Sequence, residues 1–251
     1  RNTRAQQSGG GVQRVTAELT VLTVTAASIG VGHTLLGPDH YLPFVVLARA
    51  RGWSKAKTVL ITVLCGLGHV GSSMVLGTIG IALGVAVARV EGIESARGDL
   101  AAWLLTAFGL IYMVWGIRRA VRHRAHSHPH AHVDGERHDH LHDHECAHLH
   151  PHDQAAAAPA LTPWVLFTIF VFGPCEPLIP ILMYPAAAES AFGVALVAGV
   201  FGAATILTML ATVLLLSFGL SRLPTRGLER YSHALAGLAI FACGVSIHLG
   251  L

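Results

Sequence analysis

Long apolar stretches alternate with short polar connections along most of the chain. A helix needs about 20 consecutive, mostly apolar residues to cross the hydrocarbon core of a bilayer. Six stretches meet this requirement, at 15–36 running on to 48, 58–88, 99–117, 161–184, 190–220 and 229–251. The pattern therefore predicts an all-α polytopic membrane protein with six transmembrane helices.

Basic residues are concentrated in the connections that follow the first, third and fifth predicted spans. These connections hold 12 of the 17 Lys and Arg residues: Arg49, Arg51, Lys55, Lys57, Arg118, Arg119, Arg122, Arg124, Arg137, Arg222, Arg226 and Arg230. Connections rich in Lys and Arg stay on the cytoplasmic side of a membrane. We therefore expect a plasma (inner) membrane protein whose long middle loop is cytoplasmic and whose termini are both outside.

The two halves of the chain are weakly similar at an offset of 136 residues. Gly37-Pro38 aligns with Gly173-Pro174, and Gly66 aligns with Gly202. Three spans in each half require the second half to be inserted upside down, as in the inverted repeats of many transporters. Because Pro lacks an N–H and clashes with the preceding turn, Gly-Pro inside an apolar run interrupts a helix. The sequence predicts a 3+3 inverted repeat in which helices one and four are broken by Gly-Pro.

This repeat divides the chain into four parts. The first three-helix repeat covers 15–117 and the second covers 161–251, and a His-rich loop at 118–160 joins them. Residues 1–14 are polar and Gly-rich, so we expect them to form a flexible N-terminus outside the fold.

Ionisable and thiol side chains lie inside the predicted spans, where burying a charge costs about 3 kcal/mol or more. They cluster at the two Gly-Pro breaks and in the middle of the second span: His33, Asp39, His40, His69, Cys175 and Glu176. Together they offer a transition metal imidazole, carboxylate and thiol ligands from three spans. Simpler explanations stay open, namely a hydrogen bond between helices for His69, an ion pair for Asp39-His40 and packing for Cys175.

Twelve of the 17 histidines fall between His123 and His152, within the predicted loop. Eleven of them are predicted to capture metal: His126, His128, His130, His132, His138, His140, His142, His144, His148, His150 and His152. The segment has no apolar periodicity, so we expect it to be disordered. Its bias toward one ligand type indicates capture of a transition metal, and a solvated linker is the alternative.

Composition excludes several classes of protein. The chain is 53% hydrophobic and only 12% charged, whereas a soluble domain carries about a quarter charged residues. A net charge of +3 is too small to favour nucleic-acid binding. The four cysteines are scattered and indicate no disulfide framework. No HExxH or phosphate-binding Gly-rich motif is present, so we do not expect an enzyme.

Two segments carry a resemblance to a known family. His33-Thr34-Leu35-Leu36-Gly37-Pro38-Asp39-His40 resembles the first signature of the nickel/cobalt transporter superfamily, and Leu67-Gly68-His69-Val70-Gly71-Ser72-Ser73 resembles a Leu-Gly-His-Ser element on its next span. Six spans and a His-rich loop resemble its short, six-span NicO/UreH-like branch. The resemblance implies a secondary transporter whose substrate is a divalent transition metal, nickel or cobalt first and zinc next. It implies as partners metal ions, the lipid bilayer and a metallochaperone or metalloenzyme maturation protein.

Two alternatives are open. The segment from Gly173 to Pro180 resembles membrane thiol–disulfide electron shuttles, which carry a Pro-Cys near a proline in each half. Their chemistry needs two cysteines whose α-carbons approach within about 6 Å, and the position that matches Cys175 in the first half is Asp39. The other alternative is an accessory membrane protein that binds metal without transporting it.

Overall fold

A computed structural model gives the fold of the chain. It describes the backbone of residues 2–122, 126–131, 137–142, 161–173, 175, 177–187, 191–222 and 229–249, and the side chains of 17–122, 162–173, 175, 177–182, 191–222 and 229–249. In chain order the helices are α1 (Asn2–Leu36), α2 (Leu42–Ala50), α3 (Lys55–Ala82), α4 (Val87–Arg122), α5 (Leu161–Phe172), α6 (Leu178–Ala187), α7 (Ala191–Ser221) and α8 (Ser232–His248). Two 3-10 turns lie at Pro38–His40 and Glu229–Tyr231.

Five helical segments of the described chain are long and apolar enough to cross a membrane. They are Ala17–Leu36, Lys55–Ala82, Val87–Arg122, Ala191–Ser221 and Glu229–His248. The chain is therefore an integral membrane protein built mainly from helices. The fourth predicted span, at 161–184, consists of two shorter helices in the structure, α5 and α6. The apolar part of α5, Thr162–Phe172, is too short to cross a bilayer alone.

The N-terminal segment also differs from the expectation. Residues 2–14, which we expected to form a flexible segment outside the fold, belong to the helix α1, which begins at Asn2. The segment contains Gly9-Gly10-Gly11, and glycine disfavours a helix by about 1 kcal/mol per residue relative to Ala. That cost is why a helix was not predicted there.

Both helix interruptions occur where Gly-Pro lies within an apolar run. After α1 ends, the Gly37 N–H donates to the His33 carbonyl at 3.0 Å, and the Pro38–His40 turn follows before α2 begins. After α5, the Gly173 N–H donates to the Ile169 carbonyl at 2.8 Å. Because proline has no N–H to continue the helical ladder, each helix ends and a new short helix starts several residues later.

α4 and α8 pack backbone to backbone. At four glycines an added Cβ would overlap the backbone of the facing helix: Gly109 at Phe241, Gly116 at Ala234, Gly237 at Met113 and Gly244 at Thr106. The partner numbers fall as the glycine numbers rise, so the two helices run antiparallel. Small residues allow such close approach between membrane helices, where packing takes the place of the hydrophobic effect.

α3 and α7 cross each other in the same antiparallel sense. A Cβ added to Gly66 would lie 3.1 Å from Cγ1 of Ile206, and one added to Gly202 would lie 2.9 Å from Cγ1 of Val70. This crossing places the middle of α3, which carries His69, in the interior of the molecule, where His69 is 3% exposed.

Part of the His-rich loop pairs as two strands, although we expected disorder. β1 (His126–Ala131) and β2 (Arg137–His142) are antiparallel, and three His–His pairs face each other in register: His126 with His142, His128 with His140 and His130 with His138. Histidine at every second position has the period of a strand, which is the signal that the disorder prediction overlooked. The side chains of this segment, and His132, His144, His148, His150 and His152 entirely, lie outside the described residues, so metal capture by the loop stays a prediction.

Candidate functional site

Three imidazole rings meet where the first helix interruption faces α3. His33 lies in the last turn of α1, His40 in the following 3-10 turn, and His69 in the middle of α3. The His40 ring centroid is 4.7 Å from that of His33 and 5.1 Å from that of His69, and both pairs meet edge to face. His40 and His69 are 4% and 3% exposed. The predicted grouping of these histidines is therefore present in the fold.

His40 and His69 each have a hydrogen bond with the backbone, and for His40 the bonding atom is Nδ1. His40 Nδ1 lies 3.2 Å from the Gly37 carbonyl and 3.2 Å from Oδ1 of Asp39. His69 has a hydrogen bond with the backbone of Phe170. Because a carbonyl only accepts, the Gly37 contact places a proton on Nδ1 of the neutral His40 ring and leaves the lone pair on its Nε2. Asp39 therefore acts on the site through His40.

The Nε2 atoms of all three rings are buried and have no hydrogen-bond partner among the described residues. Buried polar atoms in folded proteins nearly always have one. Gly173 contributes to this environment, since a Cβ there would lie 3.2 Å from Nδ1 of His69. The site is thus lined by unsatisfied nitrogen atoms and enclosed by backbone from the second helix interruption.

Cys175 lies at the second interruption, between α5 and α6, and is fully buried. One ligand atom each from His33, His69 and Cys175 can be chosen so that all three lie within 4.8 Å of one another. Of the six predicted ligands, the fold thus brings these three together, with His40 beside them and Asp39 behind His40. Glu176 lies outside the described residues.

The other two described cysteines lie elsewhere. Cys65 and Cys243 are buried in the apolar cluster around Phe44 and Ile240, whereas Cys175 packs in a separate cluster around Phe201. All three described cysteines are free thiols. Among these three, only Cys175 lies at a helix interruption next to imidazole groups.

A second polar network, which the sequence reasoning missed, holds the Cys175 segment in place. Glu94 of α4 is 1% exposed, pairs with Arg97 and accepts a hydrogen bond from the Ser73 hydroxyl at 3.2 Å. Arg97 donates to the Ser72 hydroxyl and to the Val171 carbonyl, both at 2.7 Å. The sequence signal that was missed is the spacing of Glu94 and Arg97. Opposite charges three residues apart lie on one face of a helix, and this spacing favours ion pairs.

The same network reaches the backbone of the second interruption directly. The Cys175 N–H donates to the Ser73 hydroxyl at 3.2 Å, and Cys175 also has a backbone hydrogen bond with Glu94. Through Val171 and Cys175, the network fixes the chain on both sides of Gly173. The orientation of Cys175 therefore depends on α3 and α4 as well as on its own segment.

Comparisons of the sequence with known proteins identify one matching family. No curated protein and no solved structure matches the chain. The family described as "Cytochrome C biogenesis protein transmembrane region" matches residues 42–246, which are 205 of the 251 residues. The matched range includes His69, the Glu94–Arg97 pair and Cys175.

This match overturns the resemblance to nickel/cobalt transporters, and with it the prediction of divalent metal transport. The signature from His33 to His40 is short and lies before the matched range. It also has five residues between His33 and Asp39 where the transporter signature has four. A few polar residues beside a Gly-Pro break recur wherever a membrane helix is interrupted, so they did not distinguish between families. A match over four-fifths of the sequence does, and the chain belongs to the family of cytochrome c biogenesis protein transmembrane regions.

Proposed function

We propose that this protein carries electrons by thiol–disulfide exchange within the membrane, in support of cytochrome c biogenesis, and that Cys175 is the exchanging thiol. The family supports this function. The observation that carries the assignment to Cys175 is its position: among the described cysteines it alone lies at a helix interruption and beside imidazole groups. An imidazole with a free Nε2 can accept the proton that the thiol must lose to become nucleophilic.

The resemblance to thiol–disulfide shuttles implied a pair of neighbouring cysteines, whereas the other two described cysteines lie in a different cluster from Cys175. A single thiol can still complete the exchange if its partners supply the other sulfur atoms. The Cys175 thiolate attacks a disulfide in an acceptor protein, which forms a mixed disulfide and releases one acceptor thiolate. A dithiol donor protein then attacks the Cys175 sulfur and releases the second acceptor thiolate. The second donor thiol closes the donor disulfide and returns Cys175 to its reduced form. Two electrons pass from donor to acceptor, and the chain itself ends unchanged.

The proposal includes a 3+3 inverted repeat, in which α1 and α2 together correspond to α5 and α6, α3 to α7, and α4 to α8. The helix contacts support it, because they occur in exchanged pairs. α1 packs on α7 and α5 on α3; α2 packs on α7 and α6 on α3; α2 packs on α8 and α6 on α4.

Individual glycine contacts support the same exchange. Adding 136 to the number of Gly66 gives Gly202, and subtracting 136 from the number of Ile206 gives Val70. The Gly66–Ile206 contact in one half therefore corresponds to the Gly202–Val70 contact in the other. The α4–α8 contacts exchange in the same way at an offset of 128 residues. Antiparallel pairing of corresponding helices is what a two-fold axis in the membrane plane requires.

The proposed orientation places the His-rich loop in the cytoplasm, both termini outside and the protein in the plasma membrane. The distribution of Lys and Arg supports this orientation. The loop end of the molecule carries Arg51 and Arg119, which contact Tyr112 and His233 respectively.

The function is tested with a chain in which Cys65, Cys146 and Cys243 are replaced by Ser, so that Cys175 is the only thiol. In native membranes, the permeant disulfide 4,4′-dithiodipyridine should release one pyridinethione per chain, and a dithiol should reverse the reaction. In cells that depend on this protein, Cys175→Ser should abolish cytochrome c maturation, whereas Cys65→Ser should leave it unchanged. Normal maturation in the Cys175→Ser cells, with the variant present at normal amounts, would overturn the proposal.

A further inference from the structure

We propose that His33, His69 and Cys175 form a resident binding site for a thiophilic transition-metal ion, Cu⁺ or Zn²⁺. The site holds the ion within the membrane, and nothing in the proposal requires the ion to cross. Metal binding at this site is a property separate from thiol exchange. An ion and a disulfide would compete for the same sulfur atom, that of Cys175.

The first argument is the direction of the ligand atoms. His69 has a hydrogen bond with the Phe170 backbone, so one nitrogen of its neutral ring carries the proton and the other keeps a lone pair that can coordinate, which we assign to Nε2. That Nε2 atom is buried without a partner among the described residues, as is Nε2 of His33. A histidine whose other nitrogen donates to a backbone carbonyl is the usual form of a metal ligand in proteins.

The second argument is distance. The ligand atoms of His33, His69 and Cys175 lie within 4.8 Å of one another. Tetrahedral ligands at Zn–N and Zn–S distances of about 2.0–2.3 Å lie about 3.5 Å apart. Side-chain rotations that bring the three atoms about 1 Å closer would therefore complete a three-ligand site.

The third argument is the chemistry of the donor set. Two imidazoles and a thiolate suit Zn²⁺ and Cu⁺, because thiolate selects soft ions and imidazole binds both. Binding converts the Cys175 thiol to a thiolate and releases one proton for each ion bound. His40 offers a fourth nitrogen, since its own Nε2 is buried without a partner in the described part of the chain and its ring lies between the other two. Asp39 orients that ring and supplies nearby negative charge.

Cobalt(II) tests the site in the purified full-length protein, because a Co²⁺–thiolate bond gives a near-ultraviolet charge-transfer band that histidine ligands alone do not give. We expect one such band per chain, which added Zn²⁺ or Cu⁺ removes. Cys175→Ser should abolish the band, and His33→Gln and His69→Gln should weaken Co²⁺ binding at least tenfold. Cys65→Ser and Cys243→Ser are the matched controls and should leave the band unchanged.

Cys146→Ser separates this site from the His-rich loop, which contains that cysteine. A band that survives Cys175→Ser and disappears in Cys146→Ser would overturn the proposal, as would the absence of any thiolate band. Helicity by circular dichroism shows whether each variant has folded, and His69→Gln retains the Cys175 thiol. If His69→Gln binds no Co²⁺ but still reacts with 4,4′-dithiodipyridine in chelator, the metal site and thiol exchange are distinguished. If the band is absent while that reaction persists in the wild type, the metal site alone is wrong.

Discussion

At the residue scale, the buried Glu94–Arg97 pair is the feature most sensitive to substitution. Removing one partner of a buried ion pair costs about 3–5 kcal/mol, because the other charge is left without compensation. Here Arg97 has two further acceptors, Ser72 and Val171, and Glu94 has the Ser73 hydroxyl. Both charged groups therefore have hydrogen bonds beyond the pair itself. These bonds connect the pair to the segment that carries Cys175.

We expect Glu94→Gln to lower the free energy of unfolding by about 3 kcal/mol and to accelerate alkylation of Cys175 by a permeant maleimide. The amide keeps the shape of the side chain but leaves the Arg97 charge unbalanced. Equilibrium unfolding in mixed micelles and the alkylation rate in membranes measure the two effects. Glu91→Gln, at an exposed position one turn earlier on α4, should change stability by less than about 0.5 kcal/mol. Equal effects of the two substitutions would contradict this account of the network.

Individual site residues were predictable only where the sequence placed a polar group in an apolar environment. His33, Asp39, His40, His69 and Cys175 were found in this way, because each interrupts an apolar run. Glu94 and Arg97 were missed because the first turns of α4 are polar, which placed them outside the predicted span at 99–117. So few positions did not decide between families: the segment from Gly173 to Pro180 indicated thiol–disulfide shuttles only as an alternative, and the family match supports that alternative.

At the element scale, the α4–α8 pair depends on glycine. A Cβ on Gly237 would overlap the backbone of Met113, so the helices would have to separate. Separation loses dispersion contacts along the whole pair, because packing is the main force between membrane helices. Gly199 of α7, by contrast, has nothing within 4 Å of the place where its Cβ would lie.

Gly237→Ala should therefore destabilise the protein by about 1–3 kcal/mol, as overpacking does in other tightly packed interiors. Gly199→Ala should leave stability unchanged or raise it by up to about 1 kcal/mol, since Ala favours the helix over Gly. Both values come from unfolding in mixed micelles followed by circular dichroism. A Gly237→Ala protein as stable as the wild type would show that the two helices are not in backbone contact.

The sequence predicted the positions at which helices are interrupted more reliably than it predicted the lengths of the helices. Both interruptions fall at Gly-Pro, where the proline has no N–H to continue the helical hydrogen bonds. The lengths of α5 and α6 depend on tertiary packing, which a hydropathy pattern does not report. The strand pair at His126–Ala131 and Arg137–His142 was missed for a related reason: polar composition was given more weight than a period of two.

At the scale of the whole molecule, the ends of the helices define two faces. The connection between α2 and α3 and the His-rich loop after α4 lie at one face, whereas the turn at Leu83 and Gly84 between α3 and α4 lies at the other. A helix that crosses the bilayer once moves the chain from one face to the other. The two connections of α3 must therefore be reached from opposite sides of the membrane.

Impermeant maleimide tests this arrangement in a Cys146→Ser background. We expect Leu83→Cys to be labelled in intact cells and Lys55→Cys to be labelled only in inverted vesicles, because the proposed orientation places the basic connections in the cytoplasm. Both positions are exposed. Labelling of Lys55→Cys in intact cells would reverse the proposed orientation, and labelling of both from the same side would contradict α3 as a span.

At four glycines the backbones of α4 and α8 are in direct contact, so no side chain separates the two helices at those points. We therefore expect the two helices to move together as one unit. We expect movement instead in the short helices on either side of the interruptions, where hydrogen bonds such as those of Val171 and Cys175 hold the chain. A partner protein that reaches the buried sulfur would thus displace α2, α5 or α6 around a stationary axis, at the energetic cost of the Arg97 and Ser73 contacts.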